Sequence, residues 1–283
     1  MRILIIGSNG LLGSDLLEGW AGDTSIPATS RDADIRNLEQ VRRLVSRHRP
    51  EWIILAAAYT DVDGSERDPD LAFAVNRDGT RNVSVVAREL GAKLCYLSTD
   101  YVFDGASTRP YEPEDTVNPL NTYGASKVAG EEAVMEHAGH WLIARTSWLF
   151  GANKSCFPEK ILQAADSQPE LKVVADQIGS PTYTRDLAGA IRELIRTDAK
   201  GVLNTTNSGT CSWFEFATET LRLAGRSTRI SPITSAEIGR LARRPAYSAL
   251  SPRVLSSCGI LLRTWQEALQ DYLEELKRRG KLR

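Results

Sequence analysis

Cysteine and histidine are scarce in this sequence, and their positions are scattered. The four cysteines form no Cys-x-x-Cys pair, and together with the three histidines they offer no spacing typical of a metal site. The sequence therefore gives no indication of a structural metal site, and we predict no metal ligands. Unpaired cysteines are typical of proteins in a reducing cytoplasm.

A charge excess and long apolar runs are also missing. The formal net charge is −1 over 283 residues, which provides no electrostatic footprint for nucleic acid or an anionic membrane. No apolar run approaches the length of a membrane span, and the run after Met1 stops at Gly7, too soon for a secretion signal. We therefore expect a cytoplasmic, soluble protein with neither membrane nor nucleic acid as partner.

What the sequence does contain, in its first half, is an alternation of short apolar runs with stretches of helical spacing. The predicted strands are Arg2–Ile6, Ser25–Ser30, Trp52–Ala58, Lys93–Leu97 and Trp141–Ser147, and the predicted helices between them include Leu11–Trp20, Leu38–Val45 and Asp70–Leu90. This alternation predicts an α/β fold with a doubly wound, mostly parallel, Rossmann-like sheet.

A glycine-rich turn directly follows the first predicted strand. Its spacing is Gly-x-x-Gly-x-x-Gly, which differs from the G-x-G-x-x-G dinucleotide fingerprint but occupies the same place between a strand and a helix. We expect this turn and the small residues that end the next strands to hold a nicotinamide dinucleotide. The predicted cofactor contacts are Gly7, Asn9, Gly10, Leu11, Leu12, Gly13, Ala56, Ala57, Ala58 and Leu97.

The end of the second predicted strand bears on the choice of coenzyme. Arg31 stands near the position where an acidic residue would read the ribose of NAD, and an arginine there accommodates the 2′-phosphate of NADP. We therefore expect Arg31, Asp34 and Ile35 to contact the cofactor, with NADPH favoured over NADH. A plain surface role for Arg31 is the alternative.

Tyr123 and Lys127 lie four residues apart in a segment that Asn121 or Thr122 can cap as a helix. Helical spacing places both side chains on one face. A positive charge beside a phenol favours phenolate and lowers the phenol pKa, which would yield a proton donor that works near neutral pH. Chance also produces this spacing, but no other tyrosine in the chain has a lysine four residues on.

Together, the glycine turn, Ser98-Thr99 and the Tyr123–Lys127 pair resemble the extended short-chain dehydrogenase/reductases. Longer blocks resemble the dTDP-4-dehydrorhamnose reductase family within that superfamily. They begin at Ser98 (STDYVFDG), Asn118 (NPLNTYGASK), Arg145 (RTSWLFG), Asp176 (DQIGSPT) and Ser212 (SWFEF). The resemblance runs from residue 2 to about residue 276.

This resemblance implies hydride transfer from NADPH or NADH to the C4 ketone of a dTDP-linked 4-keto-6-deoxy sugar. It implies that Tyr123 donates the proton, that Thr99 donates a second hydrogen bond to the ketone oxygen, and that Lys127 lowers the Tyr123 pKa and binds the nicotinamide ribose. Related dehydratases carry an acid after the Asp that follows Thr. Here Tyr101 follows Asp100, which favours a simple reductase.

The expected sugar-nucleotide contacts are Thr99, Asp100, Tyr101, Trp148 and Arg244. Trp148 could instead pack in a core, and Arg244 belongs to an Arg-Arg-Pro segment suited to a diphosphate. Tyr247 and Ala249 differ from the polar or basic residues common in the family, which leaves the nucleotide base and the sugar open. The family's reported use of Mg²⁺ is also open, since no acidic cluster stands out.

The second half has a looser pattern. Its predicted elements are helices Phe157–Ala165, Thr184–Ile195 and Leu261–Leu276 and strands Leu171–Val174 and Gly201–Thr206. We expect a dinucleotide-binding domain over 1–150 with about 200–206, and a smaller, interleaved substrate-binding domain over the rest of 151–283. A monomer or homodimer is expected. The alternatives to the rhamnose enzyme are a 4-ketoreductase for another nucleotide deoxysugar and a non-catalytic, NADP-binding subunit like the regulatory subunit of methionine adenosyltransferase.

Overall fold

The computed structural model describes residues 1–18, 20 and 22–282. In its first half, apolar runs form buried strands and the stretches between them form helices. These are β1 (Arg2–Ile6), α1 (Leu11–Leu16), β2 (Thr24–Ala28), α2 (Leu38–His48), β3 (Trp52–Leu55), α3 (Val62–Arg67), α4 (Pro69–Phe73), α5 (Thr80–Glu89), β4 (Lys93–Thr99), α6 (Thr122–His137) and β5 (Trp141–Thr146).

The second half contains shorter strands and a long C-terminal helix. Its elements are β6 (Leu149–Phe150), α7 (Phe157–Ala165), β7 (Glu170–Val174), β8 (Ile178–Gly179), β9 (Thr182–Tyr183), α8 (Thr184–Arg196), β10 (Gly201–Asn204), β11 (Cys211–Ser212), α9 (Trp213–Leu223), β12 (Arg229–Ile233), α10 (Ser235–Ile238), α11 (Arg253–Ser257) and α12 (Trp265–Arg278).

Six strands form the central sheet in the order β10-β5-β4-β3-β1-β2, and every pairing is parallel. Two apolar clusters cover its faces. Leu4, Ile53 and Tyr96 belong to one, and Ile5, Ile54 and Cys95 to the other. Burial on both faces explains why these strands read as continuous apolar runs. The predicted doubly wound α/β sheet is confirmed.

The chain returns to this sheet from its second half. Gly201–Asn204 pairs with Leu142–Arg145 at the sheet edge, as predicted for the run Gly201–Thr206. A third apolar cluster lies outside the sheet and includes Phe150, Phe216 and Tyr272. The division into two domains with the boundaries given above stays a prediction.

Three predicted helices differ most from the bounds that the structure gives them. The helix expected over Leu11–Trp20 ends at Leu16, and Gly19 lies outside the described residues. The helix expected over Asp70–Leu90 is interrupted by a π-helical turn at Ala74–Gly79. The last helix begins at Trp265, because Thr264 caps it by accepting a hydrogen bond from the Glu267 amide.

No helix within the described ranges is long and apolar enough to cross a membrane. The four cysteines are all unpaired, and Cys258 alone among them is exposed.

Candidate active site

A cleft of about 600 Å³ opens at the carboxyl ends of the parallel strands, where ligands bind in sheets of this kind. It is lined by the turn after β1, the residues after β3, the end of β4 and the start of α6. Most of the predicted site residues meet here: Gly7, Asn9, Gly10, Leu11, Leu12, Gly13, Ala56, Ala57, Ala58, Leu97, Thr99, Asp100, Tyr123, Lys127 and Trp148.

The Gly7–Gly13 turn presents bare backbone to the cleft at its first and last glycines. Gly7 has φ +91°, and a Cβ atom there would lie 2.6 Å from the Ala57 nitrogen. A Cβ atom on Gly13 would lie 2.1 Å from the Gly7 carbonyl oxygen. Both distances are below van der Waals contact, so any side chain would force the turn apart. The bare backbone leaves room for a ligand to approach the turn closely.

The start of α6 places Tyr123 beside the end of β4. Asn121 caps the helix by accepting a hydrogen bond from the Gly124 amide at 2.8 Å. A Cβ atom on Gly124 would lie 2.2 Å from the Tyr101 carbonyl oxygen, so only glycine permits this close approach. The Tyr123 phenol thereby lies near the Thr99 hydroxyl group, and both side chains line the cleft. The Tyr101 ring meets the Tyr123 ring edge-on at 5.8 Å.

The pKa of Tyr123 differs from the expectation. Burial, together with a smaller effect of the Asp100 charge, raises the Tyr123 pKa to about 12, and the Thr99 hydroxyl group opposes this rise. The expected lowering of the Tyr123 pKa by Lys127 is therefore wrong, because burial disfavours the phenolate and the Lys127 ammonium group binds the Leu97 carbonyl oxygen. At neutral pH the phenol holds its proton, which is the state that a proton donor requires.

Lys127 is buried beneath the cleft. Its ammonium group donates to the Leu97 carbonyl oxygen at 2.7 Å and lies 4.0 Å from the centre of the Tyr96 ring. Burial lowers the pKa of Lys127 to about 7, and the nearby Glu131 carboxylate opposes this shift. The ammonium group is thus anchored to the end of β4, one position from Ser98.

Glu131, one turn beyond Lys127, belongs to a buried ion pair. Arg145 donates to both of its oxygens, at 2.9 and 2.7 Å, and also to the Pro113 carbonyl oxygen. Ser98 donates a third hydrogen bond to the same carboxylate at 2.5 Å. A charge buried this deeply needs such partners. The network ties α6 to both β4 and β5, and so fixes the helix that carries Tyr123.

Asn76 lies in the π-helical turn, inside the stretch predicted as one long helix, and its side chain stabilises the site. Its side chain accepts from the Tyr59 amide at 2.9 Å and donates to the Ser126 hydroxyl at 2.9 Å. Ser126 in turn donates to the Tyr123 carbonyl oxygen at 2.7 Å. π-helical turns often occur at functional sites. Here the turn joins the segment after β3 to the helix of Tyr123.

Three predicted cofactor contacts lie outside the cleft. Arg31 is exposed, and its amide donates to the Thr29 hydroxyl. Asp34 forms an ion pair with Arg36 at 2.7 Å. Ile35 is buried in a core cluster rather than turned towards a ligand site. The structure brings Ser30 into the cleft instead.

Tyr101 and Arg244 line a second cavity of about 390 Å³. Basic and aromatic side chains dominate it, including Lys160, Lys172, Arg240, Phe157 and Trp213. The Arg244 guanidinium is bound to Asp63 at 2.6 and 3.0 Å, which lowers the pKa of Asp63 to about 2. The expected use of Arg244 thus competes with an ion pair inside the protein.

Trp148 stands between the two cavities. It lines the first one, and its ring stacks on Trp213 of the second at 3.6 Å. Its backbone has φ +46°, which is uncommon for a bulky residue. A Cβ atom on Gly179 would lie 2.4 Å from the Trp148 ring. Surrounding contacts therefore hold Trp148 in a strained conformation, a feature that is typical of functional sites.

Comparison with known proteins places this geometry in a family. The family described as RmlD substrate binding domain matches residues 1–278. The chain belongs to this family. It is 40% identical to spore coat polysaccharide biosynthesis protein SpsK of Bacillus subtilis, with 97% of each chain covered. It is 37% identical to dTDP-4-keto-6-deoxy-D-glucose reductase of Streptomyces niveus, with 95% of each covered.

A solved member of the family has nearly the same fold. It is dTDP-4-dehydrorhamnose reductase from Bacillus anthracis in complex with NADP, with a TM-score of 0.94 and 40% identity. The alignment covers 97% of this chain and 99% of that one. The resemblance inferred from the sequence blocks is thereby confirmed.

Several residues that line this cleft were not predicted from the sequence. They are Ser30, Thr60, Ser98, Thr146, Ser147, Leu149, Lys154 and Ser155. Ser30 lies two residues after β2, Thr146 ends β5 and Ser147 follows it, so the rule that ligands bind at the carboxyl ends of strands would have found them. Lys154 and Ser155 had no such signal, because they lie in an irregular segment after β6.

The described ranges contain no group of three or more His, Cys, Asp or Glu side chains placed to hold a metal ion.

Proposed function

We propose that this chain reduces the C4 ketone of a nucleotide-linked 4-keto-6-deoxy sugar with NADPH, converting dTDP-4-dehydro-L-rhamnose to dTDP-L-rhamnose. One observation carries the proposal. The hydroxyl groups of Thr99 and Tyr123 meet in the same cleft as a bare glycine turn, in a chain of the RmlD family.

The cleft suits a nicotinamide dinucleotide. The Gly7–Gly13 turn excludes side chains where a pyrophosphate would approach, and Lys154 offers an exposed cation on the cleft wall. Thr146, whose hydroxyl group has no hydrogen-bond partner among the described residues, lines the same cleft. When bound, NADPH supplies the hydride. The NADP bound by the Bacillus anthracis relative favours this coenzyme over NADH.

Tyr123 supplies the proton. With a pKa of about 12 it is protonated at neutral pH, yet it is far more acidic than the sugar alcohol that the reaction forms. Thr99 donates a hydrogen bond to the same ketone oxygen as its negative charge grows. Lys127 adds positive charge below the site and is the group we expect to bind the nicotinamide ribose.

The second cavity suits the nucleotide part of the substrate. Its basic side chains can pair with a diphosphate, and its aromatic rings offer faces for a base. Tyr101 lines this cavity and contacts Tyr123, and Trp148 reaches it through Trp213. The sugar would therefore span from Tyr101 and Trp148 to Thr99, with Asp100 beside it. Arg244 would bind the diphosphate after its ion pair with Asp63 breaks.

A second substrate has support from one comparison. The Streptomyces niveus relative is a dTDP-4-keto-6-deoxy-D-glucose reductase. This sugar has the same reacting ketone, so the hydroxyl groups of Thr99 and Tyr123 would act on it in the same way. Relative kcat/KM values for the two dTDP sugars, each with NADPH and with NADH, decide between them.

Oxidation of NADPH by the purified protein tests the proposal. Turnover with either dTDP sugar supports a reductase. If the protein binds NADPH but does not oxidise it with any nucleotide 4-keto sugar, the reductase proposal is wrong. That result would favour the alternative of a non-catalytic, NADP-binding regulatory subunit.

We also propose the interleaved division of 1–150 with about 200–206 from the rest of the chain, a cytoplasmic location and a monomeric or homodimeric state. Limited proteolysis, cell fractionation and light scattering test these three points in turn. Arg283, the last residue of the second domain as proposed, lies outside the described residues.

A further inference from the structure

The Asp100 carboxyl group joins the reaction centre to the second half of the chain. Asp100 is 2% exposed and follows β4 directly. Thr99 donates a hydrogen bond to one of its oxygens at 3.0 Å, and Ser248 donates to the other at 2.5 Å. Ser248 is 2% exposed as well. The contact spans 148 positions of the sequence.

Ser248 lies in a segment that forms backbone hydrogen bonds with two other parts of the chain, at Ile178 and at Tyr111. Its amide donates to the Ile178 carbonyl oxygen at 2.8 Å. On either side, the Ala246 and Ala249 carbonyl oxygens each accept an amide hydrogen bond at 2.8 Å, the latter from Tyr111. These backbone hydrogen bonds hold the segment in place, and so they fix the position of the Ser248 hydroxyl group beside Asp100.

The hydroxyl group of Thr99 has a single proton to donate. In the structure that proton goes to Asp100, while the Thr99 oxygen accepts from the Tyr101 amide at 3.3 Å. To donate to a ketone oxygen, Thr99 must give up its bond to Asp100. A second donor on the carboxylate weakens its hold on the first, because the negative charge is then shared between two donors. Ser248 is that second donor.

We propose that Ser248 is a positioning residue for the reduction: through Asp100 it fixes the Thr99 oxygen and makes the Thr99 proton available to the ketone. This inference rests on the proposed function. Without the Ser248 hydroxyl, the Asp100 carboxyl group can rotate and bind the Thr99 proton more strongly. The second half of the chain then contributes to the chemical step and not only to substrate binding.

Ser248→Ala removes the donor with little change of volume. We expect kcat with the dTDP sugar to fall about ten-fold, while the Kd of NADPH stays within two-fold, because one hydrogen bond to a charged group is lost away from the glycine turn. Ser248→Thr restores a hydroxyl group and should recover most of the kcat. Ser84→Ala is the matched control, since Ser84 is fully buried and donates only to the Thr80 carbonyl oxygen within α5.

The outcomes separate this inference from the proposed function. An active wild type with an equally active Ser248→Ala variant overturns the positioning role alone. A fall in kcat that also appears in Ser84→Ala, or that Ser248→Thr does not reverse at an unchanged Tm, overturns it as well. A wild type without turnover overturns the proposed function and this role with it.

Discussion

Replacing Lys127 with methionine should make the protein more stable and nearly inactive. The side chain is fully buried, and its ammonium group has one hydrogen-bond partner on the backbone, the Leu97 carbonyl oxygen. Methionine has a similar length, so it fills the same space without a charge. A buried charge that lowers the stability of the fold is typical of functional sites.

The magnitude follows from the pKa. A shift from 10.5 to about 7 means that burial disfavours the charged lysine by about 5 kcal/mol. The variant leaves the Leu97 carbonyl oxygen without its donor, which costs about 1–3 kcal/mol. The net gain in the free energy of unfolding at neutral pH is then about 2–4 kcal/mol, or a rise in Tm of about 5–10 °C.

The gain depends on pH in a defined direction. The folded-state pKa of Lys127 lies below its unfolded value, so the wild type bears the whole penalty below pH 7. Between about pH 7 and 10.5 the unfolded chain still binds the proton that the folded chain has lost, and the wild type gains stability as pH rises. The advantage of the variant should therefore shrink over this window.

Urea unfolding of wild type and Lys127→Met at pH 6.5 and pH 9.5 measures this change, with Lys200→Met as a control at an exposed lysine. A variant that is less stable than the wild type at pH 6.5, or an advantage that is the same at both pH values, would refute the burial argument. Turnover of Lys127→Met should fall at least 100-fold, because the site loses its positive charge.

Three further variants test other parts of the site. Tyr123→Phe should lower kcat about 1000-fold and leave the Kd of NADPH unchanged, since only the proton donor is lost; near-normal turnover would remove Tyr123 from its role. Lys154→Gln should raise the Kd of NADPH, measured by fluorescence, about ten-fold at low salt and less at high salt, whereas Lys200→Gln should leave it unchanged. A rise in Kd that does not depend on salt would exclude a charge contact. Gly13→Ala should abolish NADPH binding, because the new methyl group would lie 2.1 Å from the Gly7 carbonyl oxygen; an intact Kd would show that the turn does not hold the cofactor.

The sheet and the main site could be predicted from the sequence because they follow from local patterns. Parallel strands buried on both faces read as apolar runs, and residues that follow such runs meet at one edge of the sheet. That rule predicts a common site for Gly7, Ala56 and Thr99, and the structure brings these three residues into one cleft. The spacing of Tyr123 and Lys127 was correctly assigned to a helix for the same local reason.

What the sequence could not supply were the partners of buried groups. The hydrogen bond between Ser248 and Asp100 and the ion pair between Arg244 and Asp63 each join residues more than a hundred positions apart. The pKa of Tyr123 depends on how deeply it is buried, and spacing alone carries no such information. The position of Arg31 and Ile35 after β2 predicts cofactor contacts, but Arg31 is exposed and Ile35 is buried in a core cluster.

The central claim is that Tyr123 and Thr99 serve the reduction of a nucleotide-linked 4-keto sugar. Its most direct measurement follows NADPH oxidation by the wild type with dTDP-4-dehydro-L-rhamnose and identifies the product by mass and NMR. The account predicts one NADPH consumed for each sugar that gains one hydrogen on C4 and one on the C4 oxygen, and the loss of that reaction in Tyr123→Phe. A protein that binds NADPH and leaves this sugar and its D-gluco counterpart unchanged would contradict it.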